Sequence, residues 1–124
     1  MVFIFLGRVP HGEVSSLIAD LDYGVCHLPE TPLFNTSFPM KVLEYLACGT
    51  PVLMSNMPAH VEIAKQLSGT IIYDFSSLSF AESINDSTSK AKVDLADIQR
   101  FSWDAIAKQL QSFYKSLGLH KFMR

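Results

Sequence analysis

Four short apolar runs, Val2–Leu6, Tyr23–Cys26, Pro51–Met54 and Thr70–Tyr73, punctuate this chain, with stretches of helical periodicity between them. Runs such as "VFIFL" and "TIIY" are too short for helices and too continuously apolar for strands with one wet face, so they read as strands buried on both sides. Between them Glu13–Leu21 repeats its apolar residues at helical spacing, and Pro39–Cys48 and Pro58–Leu67 do the same. A weaker helix is expected over Leu78–Asn85, a polar linker over Ser87–Lys92, and a last helix from Ser102 to just before Gly118. Strand–helix alternation of this kind predicts a parallel sheet covered on both faces, a three-layer α/β domain. Ligands of such sheets sit beyond the carboxyl ends of the strands. That directs attention to Gly7–Gly12, Ser55–Met57, Asp74–Ser76 and the long polar loop His27–Phe38.

The bulk properties narrow the class. At 124 residues, 48% of them apolar, the chain has room for one domain with a core, 1–124, and not for two. Its net charge of −2 and the lack of any basic run argue against nucleic acid as a partner. The longest unbroken apolar run, Met1–Leu6, is far below a membrane span and lacks the flanks of a signal peptide. Cys26 and Cys48 share no metal or redox spacing and sit in apolar segments, so both are expected as buried thiols of a reducing compartment. The Asn-x-Ser matches at Asn35 and Asn85 are then accidental.

Residues 35–56, "NTSFPMKVLEYLACGTPVLMSN", carry the densest information. Pro39 suits a first helical turn, Ser37 an N-cap and Gly49 a C-terminal cap. The amino end of that helix then lies at the ligand edge of the sheet, with free N–H groups and partial positive charge suited to a phosphate. Leu43, Leu46 and Ala47 form its expected core stripe. Lys41 and Glu44 share another side, three residues apart. From these residues alone two readings stand: a surface ion pair worth about 0.2–0.5 kcal/mol, or Lys41 facing a diphosphate while Glu44 accepts hydrogen bonds from a sugar's vicinal hydroxyls.

The stretch "FPMKVLEYLACGTPVLMSN" resembles the Pro-x-Lys-x-x-Glu-Tyr-x-Ala-x-Gly-x-Pro-Val segment of the retaining nucleotide-sugar glycosyltransferases of the GT-B fold, family 4 (group 1). Other pieces follow the same order. "FLGRVPHGEVSSLIADLDYGV" resembles the family's upstream strand, Gly-x-Val-x-His loop, helix and strand; "PAHVEI" resembles the downstream helix with Glu62, and "FSWDAIAKQLQSFY" the closing helix, about 102–117. The resemblance covers nearly the whole chain and implies the donor-binding, C-terminal Rossmann-like domain of a cytoplasmic hexosyltransferase of glycan or glycoconjugate biosynthesis, with peripheral contact at a membrane face open to the whole enzyme.

Carried over by position, Glu44 matches the second acid of a Glu-x7-Glu motif and would hold the ribose. Ser37, Phe38 and Met40 would offer backbone N–H groups to the diphosphate of a UDP- or GDP-sugar, and Lys41 its charge. Arg8 and Val9 would lie against the base. The substrate is that nucleotide-sugar, with no cofactor and no metal implied. Two departures stand out: the first acid of the motif falls on Thr36, and Pro39 takes the place of a loop glycine in many members. Glu30 could reach the donor sugar, though no spacing requires it. The resemblance also implies a domain truncated on its N-terminal side. Residues 2–6 would be the edge strand of a 3-2-1-4-5-6 sheet whose strands 1 and 2 are absent, as are the acceptor domain and any catalytic residue it holds. Such a chain would re-pair, swap or leave loose its first strand, as a dimer or with a partner subunit.

Other chemistries lack their signatures. His11, in a strand-end loop, reads as solvated. His27, His60 and His120 have no partner at metal spacing, and "HVEIA" is not a zinc helix. Asp20 and Asp22 fall at the edge opposite the ligand loops. No nucleophile elbow, dinucleotide fingerprint or phosphate loop is present, and Asp22 and Asp74 are too scattered for a receiver-type acid cluster. The stripe of Trp103, Ile106, Ala107, Leu110, Phe113, Tyr114 and Leu117 reads as core or partner surface. The alternative to an enzyme is a non-catalytic Rossmann-like interaction module, or one subunit of a split glycosyltransferase.

Overall fold

The computed structural model describes residues 2–86 and 91–119. Three parallel strands, β1 (Gly24–Cys26), β2 (Val52–Ser55) and β3 (Thr70–Tyr73), form an open sheet in the order β1-β2-β3. Around it lie α1 (His11–Ala19), α2 (Pro32–Thr36), α3 (Met40–Ala47), α4 (Pro58–Ala64), α5 (Ser77–Asn85), α6 (Leu95–Gln99) and α7 (Trp103–Ser116). This is the expected α/β Rossmann-like arrangement. Register sets Cys26 beside Met54 and Met54 beside Ile72, so these side chains share one face. There they join Val42, Leu46, Ile63 and Leu67 in the main core. All four residues of β2 are buried, as a strand covered on both faces requires.

The first apolar run departs from expectation. Val2–Leu6 forms no strand, and its side chains are 64–93% exposed. A strand exists through its ladder, and β2 is the only strand that β1 pairs with among the described residues. Composition alone cannot supply the missing partner.

Two short helices were also invisible to apolar periodicity. Inside the segment read as a loop, Thr31 accepts the Phe34 N–H at 3.3 Å and Pro32 opens α2, a Thr-Pro start signal in plain sight. Asp94 accepts the Ala96 N–H and opens α6, whose Asp97 receives both the N–H and the hydroxyl of Ser68. Most of the linker expected at Ser87–Lys92 lies outside the described residues, as does His120. The long closing helix is present, capped by Ser102, but it buries none of its residues. Its apolar stripe is not core.

The stripe of α3 is shifted by one position. Val42 and Leu46 are fully buried, Leu43 is half-buried and Ala47 exposed. The sheet takes the i, i+4 pair Val42 and Leu46, leaving Leu43 and Ala47 to a side groove.

Candidate donor site at the amino end of α3

Because β1 and β2 are parallel and α3 crosses between them, α3 runs antiparallel to the strands, with its amino end at their carboxyl edge. Its placement is tight. The Tyr45 ring lies on Gly24, where an added Cβ would come 2.5 Å from the ring. Gly49, at φ +79°, ends the helix in the left-handed conformation glycine favours. Thr50 then donates to the Ile18 carbonyl at 2.7 Å, tying the start of β2 to α1.

The amino end is open. Pro39, not Ser37, is the N-cap, and no side chain caps it. The Ser37 hydroxyl turns back instead and donates to Leu33 O at 2.7 Å, closing α2. The tight α2–α3 connection decides this, because Ser37 is also the C-cap of α2, where its own N–H meets Phe34 O at 3.3 Å. The N–H groups of Phe38, Met40 and Lys41 have no acceptor among the described residues. Thr36, exposed on α2, gives its hydroxyl to Pro32 O and Leu33 O, both at 3.1 Å. The Phe38 ring rests on Phe101 with centroids 5.6 Å apart.

Lys41 and Glu44 are both exposed and do not pair with each other; Lys65–Glu62 on α4 is the ion pair found among the described residues. The two point to different surroundings. The Lys41 charge acts on the Cys26 thiol at the end of β1, opposing the upward push of burial. Glu44 joins Met40, Leu43 and Ala47 on the wall of a groove of about 420 Å3 whose other side includes Leu95 and Ile98. Thr36, Ser37, Phe38, Met40, Lys41 and Glu44 are thus gathered along α2 and α3. Arg8 is exposed and Val9 half-buried ahead of α1, and no hydrogen bond or ion pair joins either to α3 among the described residues.

Sequence reasoning missed what holds the strand-end loops. Ser55 Oγ accepts the Leu28 N–H at 3.1 Å and donates to Leu28 O at 3.0 Å, fixing where the loop leaves β1. Asn56 donates to Asp74 at 2.9 Å, and His27 Nδ1 pairs with the Tyr73 hydroxyl at 2.7 Å. Asn35 Oδ1 is buried without a hydrogen-bond partner among the described residues. A serine ending a strand gives no signal in one sequence, because its partner is set by tertiary packing.

His60 is completely buried. Its Nδ1–H donates to Ser55 O at 2.7 Å, leaving Nε2 to face the Cys26 thiol at 3.6 Å. Burial holds the imidazole below its ordinary range, against the opposing pull of that backbone bond, and pushes the thiol up. Neither group is a poised nucleophile or base. The unfolded chain binds the proton more readily, so this contribution to stability is complete above about pH 6.5 and is lost as pH falls below it. Urea midpoints measured from pH 7.5 to 5.5 should therefore fall, and the His60→Gln variant should show a flatter profile. A wild-type slope no steeper than the variant's would contradict the neutral buried imidazole.

Cys26 and Cys48 are free thiols; Cys26 is buried, whereas Cys48 is only half so, contrary to expectation. Asp20 caps the carboxyl end of α1 and His11 opens that helix, exposed. Among the described residues no three His, Cys, Asp or Glu side chains converge as a metal site, and no helix is long and apolar enough to cross a membrane.

The family model described as glycosyl transferases group 1 matches residues 2–99. The chain belongs to this family. The D-inositol 3-phosphate glycosyltransferase of Corynebacterium aurimucosum is 29% identical over 122 residues, covering 89% of this chain and 27% of that protein. The Bacillus subtilis protein bearing the name teichuronic acid biosynthesis glycosyltransferase TuaH is 31% identical over 62 residues, 50% of this chain and 16% of its own length. The chain therefore spans about a quarter or less of the curated relatives it matches. No solved structure matches it.

Proposed function

We propose that this chain is the donor-binding part of a retaining GT-B glycosyltransferase, moving a sugar from a UDP- or GDP-sugar to an acceptor glycan, lipid or small molecule. The observation that carries the reading is the uncapped amino end of α3, with Lys41 and Glu44 unpaired beside it among the described residues. A leaving diphosphate develops negative charge as the sugar departs. Donors already aimed at that charge stabilise it without rearranging at the moment of reaction. Here they are the open N–H groups of Phe38, Met40 and Lys41, the positive end of the helix and the Lys41 ammonium. Glu44, one turn further on, accepts from the ribose hydroxyls. Thr36 brings a neutral hydroxyl, already donating to its own helix, to the position where the family pattern has an acid. Its contact with the donor sugar is correspondingly weaker. The free thiols favour a cytoplasmic setting.

Calorimetric titration with UDP, GDP and ADP tests this on the protein as its gene encodes it. Hydrogen bonds to a charged group are worth about 1.5–3 kcal/mol, so Glu44→Ala should weaken the preferred nucleotide about 10- to 100-fold. Because Glu44 is exposed and unpaired among the described residues, the variant should fold as stably as wild type. Unchanged affinity would remove Glu44 from the site.

A further inference from the structure

The open amino end of α3 touches a ring that another element supplies. α6 is five residues long and buries none of its side chains, so it cannot persist on its own. The turn between α4 and β3 grips it instead. Ser68 Oγ accepts the Asp94 N–H at 2.9 Å and donates to Asp97 at 2.9 Å, and Arg100 Nη2 donates to Gln66 O at 2.7 Å. These bonds fix Phe101, which follows α6 with its N–H on Ile98 O at 2.9 Å. The Arg100 guanidinium lies 5.4 Å from the centre of the Phe101 ring. That ring meets Phe38, whose N–H is one of those left open at the end of α3. Both neighbours of Phe38 are already committed: Ser37 is tied back to α2, and Pro39 O accepts the Val42 N–H at 3.0 Å. The Phe38 ring is the remaining handle on the direction of its N–H. Neither ring is buried, so the pair is no part of the main core.

We propose that Phe101 is a positioning residue for the donor diphosphate, seating Phe38 so that its N–H faces the anion before the nucleotide arrives. A donor held in place binds an anion without first giving up freedom of its own, whereas a loop free to turn must be ordered by the ligand. The inference rests on reading the amino end of α3 as the donor site. It adds that recognition of the diphosphate depends on α6 and on the turn that grips it, well outside the segment 35–56 that carries the motif.

Calorimetric titration with UDP, GDP and ADP, and a proton NMR titration with the nucleoside of whichever binds, test it on the protein as its gene encodes it. Phe101→Leu keeps an apolar side chain against the core but removes the ring. It should weaken the diphosphate about 3- to 10-fold, the range of an aromatic pair, and leave the nucleoside unchanged. Phe101→Tyr should restore wild-type affinity. Phe38→Leu, at an exposed position, should reproduce the loss, and adding Phe101→Leu to it should cost nothing further. Where Phe101→Leu does not fold, Phe38→Leu carries the same contrast between diphosphate and nucleoside. Equal losses for the two ligands would reduce the ring pair to a support of the fold and overturn the proposal, as would additive losses in the double variant. Unchanged diphosphate affinity in Phe101→Leu, with Glu44→Ala still impaired, would overturn it and leave the donor site standing. A wild type that binds none of the three nucleotides would remove the donor site itself, and this inference with it.

Discussion

Leu46→Ala is expected to lower the unfolding free energy by about 2–5 kcal/mol, measured as the shift in urea midpoint at constant slope. Leu46 is completely buried in the cluster of Cys26, Val52, Met54 and Leu67. Its Cδ2 also lies 3.0 Å from where a Cβ on Gly69 would stand. That glycine, at φ +81°, cannot readily move inward to fill the space. The helix cannot rotate into it either, because Tyr45 is held on Gly24 one residue away. The cavity therefore persists, which places the cost toward the upper part of the range. Small domains have only about 5–15 kcal/mol in total, so a sheet of three strands loses a large share of it. Leu43→Ala, half-buried beside the groove, should cost clearly less. Equal losses at the two positions would mean that α3 turns a different face to the sheet.

That contrast marks what the sequence could and could not convey. The strands at Tyr23–Cys26, Pro51–Met54 and Thr70–Tyr73 were legible because apolar continuity and flanking turn residues are local properties. The helices with strong ends were legible for the same reason: Ser102 caps α7 and Gly49 closes α3. Val2–Leu6 has the same local credentials as β3, yet it is no strand, since pairing is decided by a neighbour that composition does not specify. The rotation of α3 failed similarly. Leu43 and Ala47 looked as apolar as Val42 and Leu46, and only the sheet distinguishes them. The motif did put a helix with its amino end at the carboxyl edge of the sheet, and α3 lies there. The cap did not follow, because two helices compete for Ser37 and the turn after α2 wins.

Gly24→Val should cost about 3 kcal/mol or more, at or beyond the usual limit for overpacking a core. The Cβ alone would lie 2.5–2.6 Å from three atoms of the Tyr45 ring, and valine adds two methyl groups beyond it. The ring has no easy retreat, since it is borne by the helix whose neighbouring Leu46 is locked in the core. Relief must come from lifting α3 off β1, and that movement carries Met40, Lys41 and Glu44 with it. Stability and nucleotide affinity should therefore fall together in this variant. Glu44→Ala should lower affinity alone. Adding Tyr45→Ala to Gly24→Val removes the colliding ring and should recover part of both losses, a coupling readable in a double-mutant cycle. Recovery of stability without affinity would show that Tyr45 itself orients the amino end of α3. Additive losses, with no recovery of either, would refute the contact between ring and glycine as the element that seats the site.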